Sequence, residues 1–146
     1  MKISSPAFSS MGKIPKKYSC EGQGINPPLQ IENIPSQAIS LVLIIDDPDA
    51  PNGTYVHWVV YNMDPKTTII LENSIPGLQA RNTAGIKNYV PPCPPSGTHR
   101  YFFKIYALDI RLEDDKNIEI KIQGHILASA ELVGLYNKKE THGESQ

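Results

Sequence analysis

Thirteen prolines are spread over 146 residues, and they decide what this chain can fold into. Proline fixes φ and removes a backbone donor, so it breaks helices and is kept out of central strands. Together with ten glycines, the prolines argue for many loops and against a helical bundle. Regular elements therefore lie in the proline-free gaps. One gap opens with the most apolar run of the chain, Ile39 to Ile45. Apolar residues occupy both parities there, which is the pattern of a strand covered on both faces at the centre of a sheet. The first long strand is thus read as Ile39–Asp46. Tyr55–Met63 reads as the second, with Pro51-Asn52-Gly53 supplying turn chemistry before it. Strict alternation would put His57, Val59 and Tyr61 on one face, and Val56, Trp58 and Val60 on the other. Two apolar strands joined by a loop predict an antiparallel pair. His99–Asp109 reads as the third strand, with His99, Tyr101 and Phe103 on one face and Arg100, Phe102 and Lys104 on the other.

The remaining stretches are weaker. Residues 1–38 read as short strands and turns wrapped over a core built later, with Phe8 and Tyr18 as anchors and Leu29-Gln30-Ile31 as one short strand. Residues 64–98 read as mostly loop, with a short edge strand over Thr67–Leu71; a loop of this length in a compact domain is usually functional. Ile118 to Ile122 alternates and is read as a strand, although Ile118 and Ile122 also stand one helical turn apart. His125–Tyr136 is read as the one good helix, from the stripe of Ile126, Ala130 and Val133 beside Leu127. The polar tail 138–146 contains no core residue. The sum is a single domain over residues 1–137 with a mostly antiparallel β fold, a sandwich rather than a barrel because the strands are uneven.

Composition bounds the function. A net charge of −1 gives no basic field for nucleic acid. No run of ~18 apolar residues exists, so no membrane span is expected. The N-terminal Met1-Lys2-Ile3-Ser4-Ser5-Pro6 lacks the apolar stretch of a signal peptide, which favours the cytoplasm. Two cysteines, Cys20 and Cys93, are too few for a disulfide scaffold, and whether they pair is open at this point.

Two loops share one grammar. Asp47-Pro48-Asp49-Ala50-Pro51 follows the central strand and leads to His57-Trp58. Pro91-Pro92-Cys93-Pro94-Pro95 leads to His99-Arg100-Tyr101. In each, a proline-stiffened segment delivers polar groups to a strand end. Taken singly, an aspartate before proline is a turn former and a histidine at a strand end is a packing residue. The repetition is what points to one small polar pocket. Asp47 would accept a hydrogen bond from an imidazole and keep it charged, and two histidines and a tyrosine would then hold a small anion. Rigid walls lower the entropy cost of occupying such a pocket. Asp47-Pro48 and Pro94-Pro95 are candidates for cis bonds. Serine-hydrolase and phosphate-loop patterns are absent. A metal site built from Asp47, His57 and His99 is the enzymatic rival.

These segments resemble the phosphatidylethanolamine-binding protein family, which includes the Raf kinase inhibitor protein, and the prokaryotic branch in particular. The resemblance runs over nearly the whole chain. It implies a sandwich of two antiparallel sheets with short helices near the C-terminus. It also implies a surface pocket for phosphate, a phospholipid head group or a phosphorylated ligand. Carried over by position, the ligand-binding residues are Asp47, His57, Pro92, His99 and Tyr101, with Pro48, Asp49 and Arg100 as loop support. No catalytic residue, metal or cofactor is implied. The implied role is binding and regulation of a kinase or a serine protease, the latter by inhibition, and several prokaryotic members of the family are homodimers, which makes a homodimer one option for this chain. Pro91 stands where relatives often carry glycine, and Ala84 where they carry an aromatic.

Overall fold

The computed structural model describes residues 1–138. Its strands are β1 (Lys2–Ser4), β2 (Leu29–Glu32), β3 (Ser40–Asp47), β4 (Tyr55–Met63), β5 (Ile69–Ile70), β6 (Leu78–Ala80), β7 (Thr98–Leu108) and β8 (Ile126–Asn137). They form two antiparallel sheets, a small one in the order β1-β2-β5 and a large one in the order β6-β4-β3-β7-β8. The fold is a β-sandwich. Among the described residues, helix is confined to a 3-10 turn at Lys16–Tyr18 and one short helix, α1 (Ile118–Lys121). Of the tail expected to be polar and frayed, residues 139–146 lie outside the described residues.

β3 explains the layering. All eight of its residues are buried, the apolar run Leu41–Ile45 together with Ser40, Asp46 and Asp47 at its ends, whereas Ile39, read from sequence as the first residue of this strand, is exposed. Leu41, Leu43 and Ile45 face the small sheet and form the main core with Ile3, Leu29, Ile31 and Ile70 from that sheet. Val42 and Ile44 face the other way, into a second core closed by Leu112, Ile118 and Ile122. A buried aliphatic side chain contributes about 1.5–3 kcal/mol, so β3 with neighbours on both faces is the most firmly held strand of the domain. Its last residue, Asp47, projects into the pocket described below.

Three expectations need correction. The stretch read as a helix over His125–Tyr136 is the edge strand β8. Residues 126–137 pair with β7 along its whole length, and Leu132 and Tyr136 enter the main core while Ala128 and Ala130 pack against it. Small residues at alternate positions satisfy a sheet face as well as they satisfy a helix, and tertiary pairing outweighs alanine's helix preference. Conversely, the stretch read as a strand over 118–122 is helical: Ile118 and Ile122 are buried, whereas Ile120 is 73% exposed. The third correction concerns β4. Ile45 pairs with Trp58 but Asp46 with Val56, so His57 is an extra, bulged residue. A bulge interrupts strict alternation and re-aims a side chain. His57 packs on Tyr101 of the main-core side, the side that Trp58 also faces, while Val56, Val59 and Tyr61 pack in the second core. The expected face shared by His57, Val59 and Tyr61 therefore does not form. In addition, no cis peptide bond occurs among the described residues, Asp47–Pro48 and Pro94–Pro95 included.

Gly134 marks where the N-terminal segment crosses β8. Residues 11–14 hydrogen-bond along Val133 and Leu135, and a Cβ on Gly134 would meet Ile14 Cγ1 at 2.6 Å and Phe8 Cε2 at 2.7 Å. Gly134→Val is expected to cost about 1–3 kcal/mol through overpacking, read as a lower urea midpoint. An unchanged midpoint would show that this crossing is loosely packed.

Candidate functional site

The ends of β3, β4 and β7 meet the loop preceding β7 around a cavity of about 450 Å³. Asp47, Tyr55, His57, Thr83, His99 and Tyr101 line it, with walls from Ala50–Thr54, Val90 and Cys93–Pro95. Four of the five ligand-binding residues expected from sequence thus converge. Pro92 does not: it is buried, is not among the lining residues, and its carbonyl accepts the Cys20 N–H at 3.0 Å. Pro91 also stays out of the lining, so the cavity remains open despite it.

Each side chain is fixed by a specific partner. Asp47 Oδ1 accepts the Asp49 N–H at 2.8 Å, an Asx turn that sets the loop. Its Oδ2 accepts the His99 Nδ1–H at 2.6 Å, with both residues buried. Asp49, one of the support residues, accepts hydrogen bonds from the Arg100 N–H, Nε and Nη2 at 2.8–2.9 Å. These bonds hold the Asp49 carboxyl down to about 2 and keep Arg100 directed away from the cavity. Pro48 is exposed at the loop tip. The His57 Nδ1–H donates to the Val90 carbonyl at 2.7 Å, and the Val90 N–H returns a bond to the His57 carbonyl at 3.0 Å. Its ring lies against Tyr55 and Tyr101, with centroids 4.9 and 5.3 Å away. Burial pushes the His57 imidazole below its ordinary value, against the opposing pull of the Val90 carbonyl and of Asp47 and Asp46. Burial pushes the Tyr101 hydroxyl up, and the carboxylates of Asp47 and Asp49 add to this.

A carbonyl accepts only, so His57 Nδ1 carries a proton, and a carboxylate imposes the same tautomer on His99. Each ring then presents Nε2 towards the cavity, and neither Nε2 has a protein partner among the described residues. The site is a pair of oriented imidazoles beside two tyrosines.

Sequence reasoning missed the residues that hold the far wall. Asn82 donates to the His57 and Asn88 carbonyls at 3.1 and 2.7 Å and accepts the Ile86 N–H at 3.2 Å, which ties the 82–90 loop to β4. The Tyr89 hydroxyl donates to the Tyr18 carbonyl at 2.9 Å, and its ring stands edge-on to Trp58. Nothing in the spacing of Asn82 distinguishes it from a loop asparagine. Cys20 and Cys93 form a disulfide across 73 residues, which resolves the pairing left open above. That bond weighs against the cytoplasmic expectation, because disulfides persist mainly in oxidising surroundings. Among the described residues, no helix is long and apolar enough to cross a membrane, and no group of three or more His, Cys, Asp or Glu is arranged to hold a metal ion.

Known proteins share this sequence and this architecture. A UPF0098 protein of Chlamydia trachomatis serovar D is 46% identical over 94% of this chain and 99% of its own length. A UPF0098 protein of Methanothermobacter thermautotrophicus is 41% identical over the same shares. The crystal structure of a phosphatidylethanolamine-binding protein homolog from Chlamydia trachomatis superposes with a TM-score of 0.90 at 46% identity, covering 94% of this chain and 97% of that one. Escherichia coli YbcL matches in fold alone, with a TM-score of 0.86 at 24% identity over 94% of this chain and 98% of that one. The pattern of the family described as phosphatidylethanolamine-binding protein matches residues 4–137, nearly all of the sandwich and every residue of the pocket, and the chain belongs to that family.

Proposed function

We propose that this protein is a non-catalytic binding module whose pocket holds the oxyanion of phosphate, of a phospholipid head group or of a phosphorylated ligand, and that occupancy of the pocket regulates a partner such as a kinase. The observation that carries this reading is the pair of Nε2 atoms, on His57 and His99, turned into one cavity by Val90 and Asp47. The groups that aim the two rings, the Val90 carbonyl and the Asp47 carboxylate, are themselves held by Asn82 in the 82–90 loop, by the Asp49 N–H and by the disulfide at Cys93, which favours a site set before a ligand arrives. The protease-inhibitor reading has less support. The exposed segment Pro51–Gly53 is a tight turn rather than an extended strand-like loop suited to a protease cleft.

Calorimetric titration with inorganic phosphate and phosphoethanolamine tests the reading. Saturable binding is expected, at least about tenfold weaker (roughly 1.4 kcal/mol) in both His57→Ala and His99→Ala. Absence of saturable binding by the folded protein, or affinity in both variants equal to that of the unaltered protein, would overturn it.

A further inference from the structure

The cavity is an unusual place for an anion, because it offers no fixed positive charge. Among the described residues, no lysine or arginine lines it. The nearest candidates are spent: Arg100 is clamped on Asp49, and Lys104 pairs with Asp46 at 2.9 Å on the opposite face of the sheet. The loop beyond β6 adds none, since Arg81 donates to the Gly85 carbonyl and Lys87 pairs with Asp115. The carboxylate of Asp47 contributes a negative field instead.

Both Nδ1 positions are committed as donors, so a neutral imidazole shows the cavity an Nε2 lone pair, an acceptor. The hydroxyls of Tyr55 and Tyr101 can donate to an oxyanion, but an oxygen set against either Nε2 meets an acceptor and the field of Asp47, and is repelled there unless a proton lies between oxygen and nitrogen. That proton comes either from the ligand, as a P–OH donating to Nε2, or from solvent, at the cost of charging a buried ring. The ring of His57 lies against Tyr55 on its own strand and Tyr101 from β7 and is bonded to the Val90 carbonyl, and the charges that act on it are those of Asp47 and Asp46 from β3 and of His99 from β7.

We propose that the pocket selects tetrahedral oxyanions that carry a proton over those that carry none. This rests on the oxyanion reading above and narrows it. Hydrogen phosphate keeps one P–OH throughout the neutral and alkaline range. Sulfate has the same shape and charge but no proton. A phosphodiester also has none, and a phosphomonoester holds one only in mild acid, near its second pKa of about 6. The order of affinity in mild alkali is therefore phosphate first, then phosphomonoester, with phosphodiester and sulfate last. The burial that lowers the His57 imidazole supports the same order, because it makes protonation from solvent the harder route.

The wild-type protein is titrated with phosphate, a simple phosphomonoester, a phosphodiester and sulfate at about pH 8 and again at about pH 5.5, on either side of the ordinary imidazole range. At the higher pH, phosphate is expected to bind at least about tenfold more tightly than sulfate, since a site built to bond a hydroxyl rejects the analogue lacking it. At the lower pH the gap narrows, and sulfate binding takes up close to one proton, read from titrations in two buffers of different ionisation heat. Equal affinity for phosphate and sulfate at the higher pH would overturn this proposal and leave the oxyanion reading standing. Binding of none of the four anions by the folded protein would overturn both.

Discussion

Removing the Cys20–Cys93 disulfide is expected to lower stability by about 3 kcal/mol, within the usual 2–5 kcal/mol for a native bridge. The bond closes a loop of 73 residues, and a cross-link over so long a loop removes much freedom from the unfolded chain. It also joins the 3-10 turn region to the cavity wall at Cys93. The wall keeps other ties: Cys20 N–H to the Pro92 carbonyl, Tyr89 to Tyr18, and the two-way contact of His57 with Val90. The Cys20→Ser/Cys93→Ser variant should therefore fold, melt roughly 10 °C lower, and bind phosphate more weakly as the wall loosens. Both cysteines are exposed, so mild reductant should give the same melting shift in the unaltered protein. A melting temperature that ignores both the substitution and the reductant would show that the bridge constrains nothing the native contacts do not already hold.

The second large effect is expected at Asp47. Its carboxylate serves two donors, the Asp49 N–H and the His99 Nδ1–H, and the side chain is 4% exposed. Asp47→Ala leaves the His99 donor buried without an acceptor, which costs about 1–3 kcal/mol, and removes the Asx turn besides. We expect a loss of about 2–4 kcal/mol in urea unfolding. Freed of its partner, His99 also loses the tautomer that turns Nε2 to the cavity, so phosphate affinity should fall by more than about tenfold. Asp47→Asn preserves the shape and one acceptor, and should lose less on both measures. A stable Asp47→Ala protein with unchanged affinity would mean that the Asp47–His99 contact neither holds the loop nor aims the ring.

The large strands were legible because their burial is written into the chain. β3 is apolar at both parities and lies at the centre of its sheet; β7 alternates, and its faces are those expected. The pocket was legible from the repeated proline-stiffened loops, and its residue set from the family resemblance; Asp47 and His99 lie at the ends of those two strands, and their hydrogen bond is a side-chain contact beyond the last paired residues, Asp46 and Phe102. What was not legible depended on non-local contacts. The sequence of β8 suits a helix until β7 presents an eleven-residue partner edge. His57 reaches the same side as Trp58 only through a bulge, which no residue type in β4 announces. Asn82 acts through its carbonyl partners on β4 and Asn88, which exist only once the 82–90 loop has folded back.

The most direct test of the central claim is long-range nitrogen–proton correlation NMR of the histidine rings during a phosphate titration. Nε2 of His57 and His99 should shift together and saturably, while their Nδ1 signals keep the protonated pattern set by Val90 and Asp47. His125, which pairs with Asp109 outside the pocket, should not move. Shifts confined to His125, or rings whose Nδ1 and Nε2 roles are reversed, would contradict the account.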